Sequence, residues 1–301
     1  MRNLLRGCVA GCVVSVAIVA ALPGVALGAG SQRHYPVTYN YPLGVAQGYT
    51  VSKTPPGAND WSCRPTAAHP RPVVLVPAEG SMGSDWHTGS ALLANHGYCV
   101  FALDYGDGGT APMERSAVEL GRFVDRVRAA THARTVDLVG HSEGGVMPRY
   151  YIKFLGGRHT VRHFVALAPL SHGTTLNGLA TLAAHVPGAV GVVGHLSAAD
   201  AEMVKGSEFM RKLNARPEAP APVRYTVIAT QRDEVATPYR TAFLSGRTVT
   251  NITLQRQCTT DQIDHVAMTY DSIALHDVLD ALDPRHATRP ACRVVLPLIG
   301  G

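Results

Sequence analysis

Charged and aromatic side chains are scarce in this sequence. Asp, Glu, Lys and Arg together make up 16% of the 301 residues and Phe, Trp and Tyr 6%, whereas hydrophobic residues reach 46%. Disordered chains and long coiled coils are rich in charge and poor in large apolar residues, so this composition excludes both classes. The length suits one large domain or two small ones, and no internal repeat or long linker divides the chain.

The excess of basic residues is also small. The formal net charge is +5 with neutral histidines. The first 28 residues contribute two arginines and no acid, so the rest of the chain has 25 basic and 22 acidic residues, a charge of about +3. Because this excess is modest, we expect no nucleic-acid partner.

Residues 1–28 have the pattern of a secretory signal. Arg2 and Arg6 precede an apolar run, Cys8–Leu22, and small residues occupy positions 26 and 28. This order predicts a signal peptide cleaved after Gly28, and hence a secreted protein. A permanent membrane anchor is the alternative, but the run is short and ends in small residues. A lipid anchor on either early cysteine is disfavoured, because both lie at the start of the run.

Only four cysteines remain after residue 28. An even number of cysteines in an exported protein indicates disulfides. Pairing neighbours along the chain closes a short loop in each half, which predicts the disulfides Cys63–Cys99 and Cys258–Cys292. No two of these cysteines have the two-residue gap of a zinc knuckle, so we expect no metal site.

Apolar runs alternate with helical patterns from residue 73 onward. Six runs predict strands, at 73–76, 98–103, 135–139, 163–168, 225–229 and 250–254. Four stretches predict helices, at 86–96, 114–130, 146–155 and 272–282. Strands that are apolar throughout and separated by helices predict an α/β fold, with a mostly parallel sheet covered by helices on both faces. We expect this domain to span residues 73–301, preceded by an N-terminal surface arm at residues 29–72.

The segment Gly140–Gly144 reads Gly-His-Ser-Glu-Gly, directly after a predicted strand and before a predicted helix. This is the context that a G-x-S-x-G nucleophile elbow requires. The flanking glycines relieve crowding in the tight turn, and the free N–H groups of the following helix favour negative charge. The pattern therefore predicts Ser142 as a nucleophile.

A serine nucleophile needs a base, and the base needs an acid to orient it. In folds with this elbow the acid and then the histidine follow the serine along the chain. Asp233 follows the fifth predicted strand and His265 the sixth. Because the carboxyl ends of parallel strands meet at one edge of the sheet, both are expected near Ser142. Glu234 stays open as the alternative acid.

Other histidines fit this role less well. His141 is adjacent to the serine on a tight turn, so its ring cannot point at the hydroxyl. His172 precedes the candidate acids, and His276 lies within the last predicted helix.

The oxyanion formed by serine attack needs two N–H donors. One is expected to be the backbone N–H of Glu143, the residue after the nucleophile. The other is expected from the loop after the first strand, with the backbone N–H of Glu79 as the candidate. Both side chains are odd neighbours for a developing negative charge.

These motifs together resemble the secreted actinobacterial lipases of the class 2 type, within the α/β-hydrolase superfamily. The similarity runs along nearly the whole chain. Besides the elbow, it rests on Pro56–Cys63, Gly97–Phe101, Pro148–Tyr151, Asp233–Tyr239, Asp264-His265 and Tyr270-Asp271. The resemblance implies the α/β-hydrolase fold and ester hydrolysis, with Ser142, Asp233 and His265 as the catalytic triad.

The chain departs from this family at three places. Pro77-Ala78 stands where relatives usually have His-Gly, and Glu143 where they commonly have Gln. An extra cysteine pair that many relatives carry near Ser197–Met203 is absent.

One long stretch bears on the substrate, because Leu170–Ala199 contains no Asp, Glu, Lys or Arg. A buried pair of helices would explain it. The functional interpretation is a cap or lid, residues 170–215, whose apolar underside lines an acyl pocket and makes transient contact with a lipid surface.

The sequence thus predicts a triacylglycerol lipase that acts through an acyl-serine, as a monomer without metal or organic cofactor, on a lipid or another apolar ester. A short-chain esterase, a polyester depolymerase and an acyltransferase stay open. A non-catalytic binding protein on the same scaffold is the alternative outside the enzymes.

Overall fold

Six parallel strands form the centre of the protein. The computed structural model describes residues 34–50, 54–81, 83–185 and 197–301. The strands lie in the order β2-β1-β3-β4-β5-β6, and every neighbouring pair is parallel. They span Val73–Val76 (β1), Val100–Ala102 (β2), Val136–His141 (β3), Val161–Leu167 (β4), Arg224–Ala229 (β5) and Val249–Thr253 (β6). The predicted α/β fold with a parallel sheet is confirmed.

Helices cover this sheet on both faces. They are Tyr41–Thr50 (α1), His87–Asn95 (α2), Met113–Thr131 (α3), Met147–Phe154 (α4), Leu176–His185 (α5), Ala198–Met203 (α6), Glu208–Asn214 (α7) and Ser272–Leu282 (α8). Shorter helical turns lie at Gly83–Trp86, Gly106–Gly109, Ser142–Gly145, Gly157–His159, Tyr239–Ala242, Leu254–Gln257 and Met268–Tyr270.

Alternate residues of β1 show how the two faces are built. Val74 and Val76 belong to a core that includes buried residues of α3 and α4. Val73 and Leu75 belong to a second core that includes residues of α2 and α8. All four side chains are fully buried, because successive side chains of a strand point to opposite faces and both faces are covered.

Two disulfides hold the ends of this domain, with the predicted pairings. Cys63–Cys99 joins the N-terminal segment to the residue before β2, with 5.8 Å between the Cα atoms. Cys258–Cys292 joins the turn after β6 to the C-terminal segment, with 5.0 Å between the Cα atoms. That C-terminal segment runs beside the loop before His265, where Gln262 N–H donates to the Val295 carbonyl oxygen at 3.0 Å.

The segment before β1 contains a helix that the sequence did not predict. The Asn40 side chain accepts a hydrogen bond from Leu43 N–H at 2.9 Å, and Pro42 lies in the first turn of α1. A capping side chain followed by proline is a helix-start signal, which the Pro- and Gly-rich composition obscured.

Several predictions fall on residues outside this description. The signal peptide at residues 1–28 is one, and residues 186–196 of the proposed cap are another. Within the described ranges, no helix is long and apolar enough to cross a membrane.

Candidate active site

The turn after β3 holds Ser142 in a conformation that few side chains adopt. Ser142 has a φ of 54°, a left-handed value that is uncommon outside glycine and marks strain at functional turns. A Cβ on Gly140 would overlap the carbonyl oxygen of Gly144. A Cβ on Gly144 would overlap the Val76 carbonyl oxygen and lie 2.5 Å from that of Pro77. Gly140 is therefore needed for the turn to close on itself, and Gly144 for the turn to pack against the end of β1.

Ser142, His265 and Asp233 form one continuous line of hydrogen bonds. Ser142 Oγ lies 2.8 Å from His265 Nε2. His265 Nδ1 lies 3.0 Å from Asp233 Oδ1 and 3.1 Å from Oδ2. Asp233 Oδ1 also accepts hydrogen bonds from the backbone N–H groups of Val235, at 2.9 Å, and Ala236, at 2.6 Å. The sheet brings the three side chains together because each follows the carboxyl end of a strand.

The charges of this line follow from its contacts. Burial alone would raise the pKa of Asp233, but His265 and the two backbone N–H donors outweigh it and hold that pKa below the ordinary value. Burial alone would lower the pKa of His265, but the Asp233 carboxylate, with Glu234 and Asp264, raises it above the ordinary 6.5. The arrangement thus favours a charged Asp233 beside an imidazole of increased basicity.

Glu234 meets the backbone of His265 and not its ring. Its Oε2 accepts a hydrogen bond from His265 N–H at 3.1 Å. Of the two neighbouring acids, only Asp233 reaches the imidazole, a choice that the sequence left open.

His141 has a supporting contact that the sequence did not suggest. Its Nε2 lies 2.8 Å from the His265 carbonyl oxygen, so a neutral ring donates this hydrogen bond and fixes the loop that carries His265. Burial, with the nearby His265, lowers the His141 pKa to about 3. His172 bonds the Thr241 carbonyl oxygen at 2.8 Å, and His276 contacts the exposed Thr288.

The residues expected to supply the oxyanion donors lie on two packed segments. Glu143 is fully buried and Glu79 is 8% exposed. The loop 77–81 is held by Gly80 N–H, which donates to Gly108 O at 2.7 Å, and by the Tyr105 hydroxyl, which donates to Pro77 O at 2.9 Å. The Glu79 side chain turns away to Ser197 at the start of α6 and accepts a hydrogen bond from its hydroxyl group.

A segment of the proposed cap contacts the loop that carries Asp233. The Thr174 hydroxyl donates to the Val235 carbonyl oxygen in the loop that carries Asp233, at 2.5 Å. Thr174 N–H donates to Met203 O at 2.9 Å, which ties the same segment to α6. Ser142 and His265 are both fully buried, so the candidate site is enclosed in this conformation.

The described residues contain no group of three His, Cys, Asp or Glu side chains that could hold a metal ion. The chemistry supported by the geometry is that of an activated serine hydroxyl.

Solved structures with this arrangement of strands and helices include lipases and an esterase. Lipase B from Aspergillus fumigatus matches with a TM-score of 0.62 at 19% identity, over 79% of this chain and 57% of that one. The mature lipase BlEst2 of Bacillus licheniformis matches with a TM-score of 0.56 at 17% identity, over 73% of this chain and 94% of that one. An esterase from Pyrobaculum calidifontis matches with a TM-score of 0.50 at 14% identity, over 72% and 77%. This chain thus spans a little over half the length of the Aspergillus lipase, and identities this low show the shared fold alone.

The sequence comparison is more specific than the structural one. The profile of the family described as Lipase (class 2) matches residues 70–276, well over half of the chain, and this range includes the elbow, both candidate acids and His265. The protein therefore belongs to the class 2 lipases, a family of carboxylic ester hydrolases with the α/β-hydrolase fold.

Proposed function

We propose that the protein is a secreted triacylglycerol lipase that works through an acyl-serine intermediate. The observation that carries this proposal is the hydrogen-bonded line from Ser142 through His265 to Asp233, at the head of a strained elbow. The leader-like sequence of residues 1–28 and the two disulfides support export.

The reaction begins with proton transfer to His265. As Ser142 Oγ attacks the ester carbonyl carbon, His265 Nε2 takes the hydroxyl proton. The carbonyl oxygen becomes an oxyanion that accepts hydrogen bonds from the backbone N–H groups of Glu143 and Glu79. The bond to the alcohol oxygen then breaks, and His265 gives its proton to the leaving alcohol.

Water completes the cycle by the same route. His265 takes a proton from water, the hydroxide oxygen attacks the acyl carbon, and the proton returns to Ser142 Oγ as the acid leaves. Asp233 keeps Nδ1–H of His265 pointed at itself, so that Nε2 is free to act as the base, and it stabilises the imidazolium that forms in each half-reaction.

The cap supports an apolar acyl chain as the substrate. Leu170–Ala199 has no ionisable Asp, Glu, Lys or Arg, and the described parts of this region pack next to the loop of Asp233 and the loop of Glu79. An enclosed site beside such a segment suits a water-poor pocket for hydrocarbon.

Labelling with a fluorophosphonate ester tests the nucleophile directly. The folded protein is expected to gain one covalent adduct, which mass spectrometry places on Ser142, and Ser142→Ala is expected to gain none. Absence of an adduct under conditions that label a control serine hydrolase would contradict the proposal.

The substrate class is tested separately, with esters of increasing acyl length. A lipase hydrolyses emulsified long-chain triacylglycerols, whereas a profile that peaks at acetate or butyrate indicates a short-chain esterase. Release of acid from a polyester film would favour a depolymerase, and transfer of the acyl group to added alcohol in preference to water would favour an acyltransferase.

A further inference from the structure

Two buried glutamates lie beside the place where the oxyanion forms. Glu143 is fully buried and Glu79 is 8% exposed. The backbone N–H groups of these two residues are the ones assigned to the oxyanion, so each side chain begins at the Cα bonded to a donor nitrogen. A carboxylate so near to the donors would oppose the negative charge that the N–H groups stabilise.

The groups that act most strongly on the Glu143 carboxyl are three acids and a phenol, namely Glu79, Asp200, Glu202 and Tyr105. None of them carries a positive charge. In the described part of the chain, neither Glu143 Oε1 nor Oε2 has a hydrogen-bond partner. Burying a charged carboxylate without a donor or a positive partner costs far more free energy than burying a protonated carboxyl.

Gly109 lies in close contact with both Glu143 and Glu79. A Cβ at this position would lie 2.7 Å from Glu143 Oε2 and 2.8 Å from Glu79 Cα. The absence of a side chain at Gly109 therefore leaves room for both the Glu143 carboxyl and the backbone of Glu79 against this residue.

The Tyr105 hydroxyl lies next to both the Glu143 carboxyl and the loop 77–81. It donates its only proton to the Pro77 carbonyl oxygen at 2.9 Å, and it lies beside the Glu143 carboxyl. The Tyr105 hydroxyl thus has no second proton to donate to a Glu143 carboxylate, so this contact does not favour a charge on Glu143.

We infer that Glu143 is a positioning residue that stays an uncharged carboxylic acid, so that Tyr105 keeps its proton on Pro77 O and holds the loop 77–81 against the elbow, with no negative charge added beside the oxyanion. The inference rests on the proposed function, because the oxyanion exists only if Ser142 attacks an ester. The pKa values agree with it: burial, with Glu79 nearby, raises the pKa of Glu143 well above its ordinary value, and burial raises that of Glu79 to about 8.

Ionisation of Glu143 and Glu79 is expected to change these contacts. A Glu143 carboxylate competes with Pro77 O for the Tyr105 proton, so the loop 77–81 loses an anchor at the moment when charge appears beside it. The rate is therefore expected to fall at alkaline pH through kcat, while KM changes little, because the oxyanion exists only in the transition state and the intermediate.

Infrared difference spectroscopy at pH 7 tests the protonation state without using activity. The spectrum of the wild type minus that of Glu143→Gln is expected to contain the C=O stretch of a protonated carboxylic acid. The matched control is Glu114→Gln, because Glu114 is half exposed, forms an ion pair with Lys212 at 2.8 Å and has a lowered pKa. Its difference spectrum is expected to contain carboxylate bands only. Carboxylate bands in the Glu143 difference would overturn the inference, whether or not the protein hydrolyses esters.

Kinetic profiles test the positioning role. Glu143→Leu is expected to lower kcat about tenfold, because a branched side chain does not fill the same space beside Tyr105. Glu143→Gln, which has the shape of the uncharged acid, is expected to recover most of that loss. The double variant Glu79→Gln with Glu143→Gln has no carboxyl left to ionise in this pair, so its alkaline limb is expected about one pH unit or more above that of the wild type. Equal kcat for the Leu and Gln variants, or coincident alkaline limbs, would contradict the positioning role.

Discussion

Buried carboxyl groups lie on both sides of Ser142, and the fold treats them in opposite ways. Asp233 on one side has an imidazole and two backbone N–H donors, and its pKa is held below the ordinary value in spite of burial. Glu143 on the other side has acids and a phenol around it, and burial raises its pKa far above the ordinary value. Burial alone therefore does not decide the charge of a carboxyl group; the partners that the fold supplies decide it.

This difference in charge suits the two opposite charges that form during the proposed reaction, one on His265 and one on the substrate oxygen. In the proposed reaction, the positive charge on His265 is stabilised by a fixed negative Asp233, whereas the negative charge on the substrate oxygen requires that no carboxylate lie near its donors. Substitutions at Asp233, Glu79, Gly109 and Ser197 test this contrast, with expected effects that decrease in that order.

Removing the charge of Asp233 should have the largest effect. Asp233→Asn is expected to lower kcat by about 10⁴-fold, since an amide can hold the imidazole in the wrong tautomer and cannot stabilise the imidazolium. Initial rates on a soluble ester measure this loss. Glu234→Gln is the matched control, because Glu234 contacts the backbone N–H of His265 and not the ring. A severe loss in Glu234→Gln with a mild one in Asp233→Asn would show that the acids have been assigned the wrong way round.

The pH dependence of stability should separate the two kinds of buried acid. An acid with a raised pKa in the fold destabilises the folded state as pH rises, because the unfolded chain releases its proton first. For Glu79, whose pKa rises from 4.5 to about 8, the free energy of unfolding is expected to fall by up to a few kcal/mol between about pH 5 and pH 8. Asp233 acts with the opposite sign: its lowered pKa contributes stability that is present at neutral pH and is lost as pH falls below its ordinary value of 3.8.

Urea unfolding of the wild type and Glu79→Gln at several pH values between 5 and 8 measures this slope. The variant is expected to have the flatter profile. Glu114→Gln serves as the control, since the lowered pKa of Glu114 lies below this window. Parallel profiles for the wild type and Glu79→Gln would mean that Glu79 is already charged in the fold at pH 5.

The close packing at the uncharged pair can be tested with two neighbouring glycines. Gly108 and Gly109 have φ values of 78° and 86°, so alanine at either position is strained by about 1–2 kcal/mol. A Cβ on Gly108 meets nothing within 4 Å, whereas a Cβ on Gly109 collides with Glu143 and Glu79. Gly109→Ala is therefore expected to destabilise the fold by about 1–3 kcal/mol more than Gly108→Ala in chemical denaturation, and to lower kcat as well. Equal losses would mean that the pair has room to move apart.

The sheet and the ends of its strands could be predicted from the sequence. The strands β1 to β4 are short and largely apolar, β5 and β6 are rich in β-branched residues, and a parallel sheet brings the carboxyl ends of its strands to one edge. Ser142, Asp233 and His265 could therefore be grouped from their positions after predicted strands. Helix α1 was missed because Asn40 and Pro42 sit in a stretch whose composition suggests a loop.

Contacts between segments that are distant in the chain could not be predicted from the sequence. Asp233 and Glu234 are neighbours, so only the backbone path of the loop decides which of them meets the imidazole. The contact between Ser197 and Glu79 joins residues 118 positions apart. The two glutamates could be recognised as unusual, but their charge depends on Tyr105 and on the acids of α6, which no local pattern brings to them.

The smallest expected effect concerns the bond between α6 and Glu79. Ser197 and Ser207 both cap helices, accepting hydrogen bonds from Asp200 N–H at 2.8 Å and Met210 N–H at 3.1 Å, so alanine at either position is expected to cost about 1 kcal/mol. Ser197 alone also donates to Glu79 and thereby lowers the pKa of that acid. Ser197→Ala should therefore raise this pKa further and extend the alkaline loss of stability above pH 8, whereas Ser207→Ala should leave the pH profile unchanged. If unfolding free energies at pH 7 and pH 9 change equally in the two variants, the serine has no influence on the charge of Glu79, and the contrast between the two sides of Ser142 does not depend on the cap.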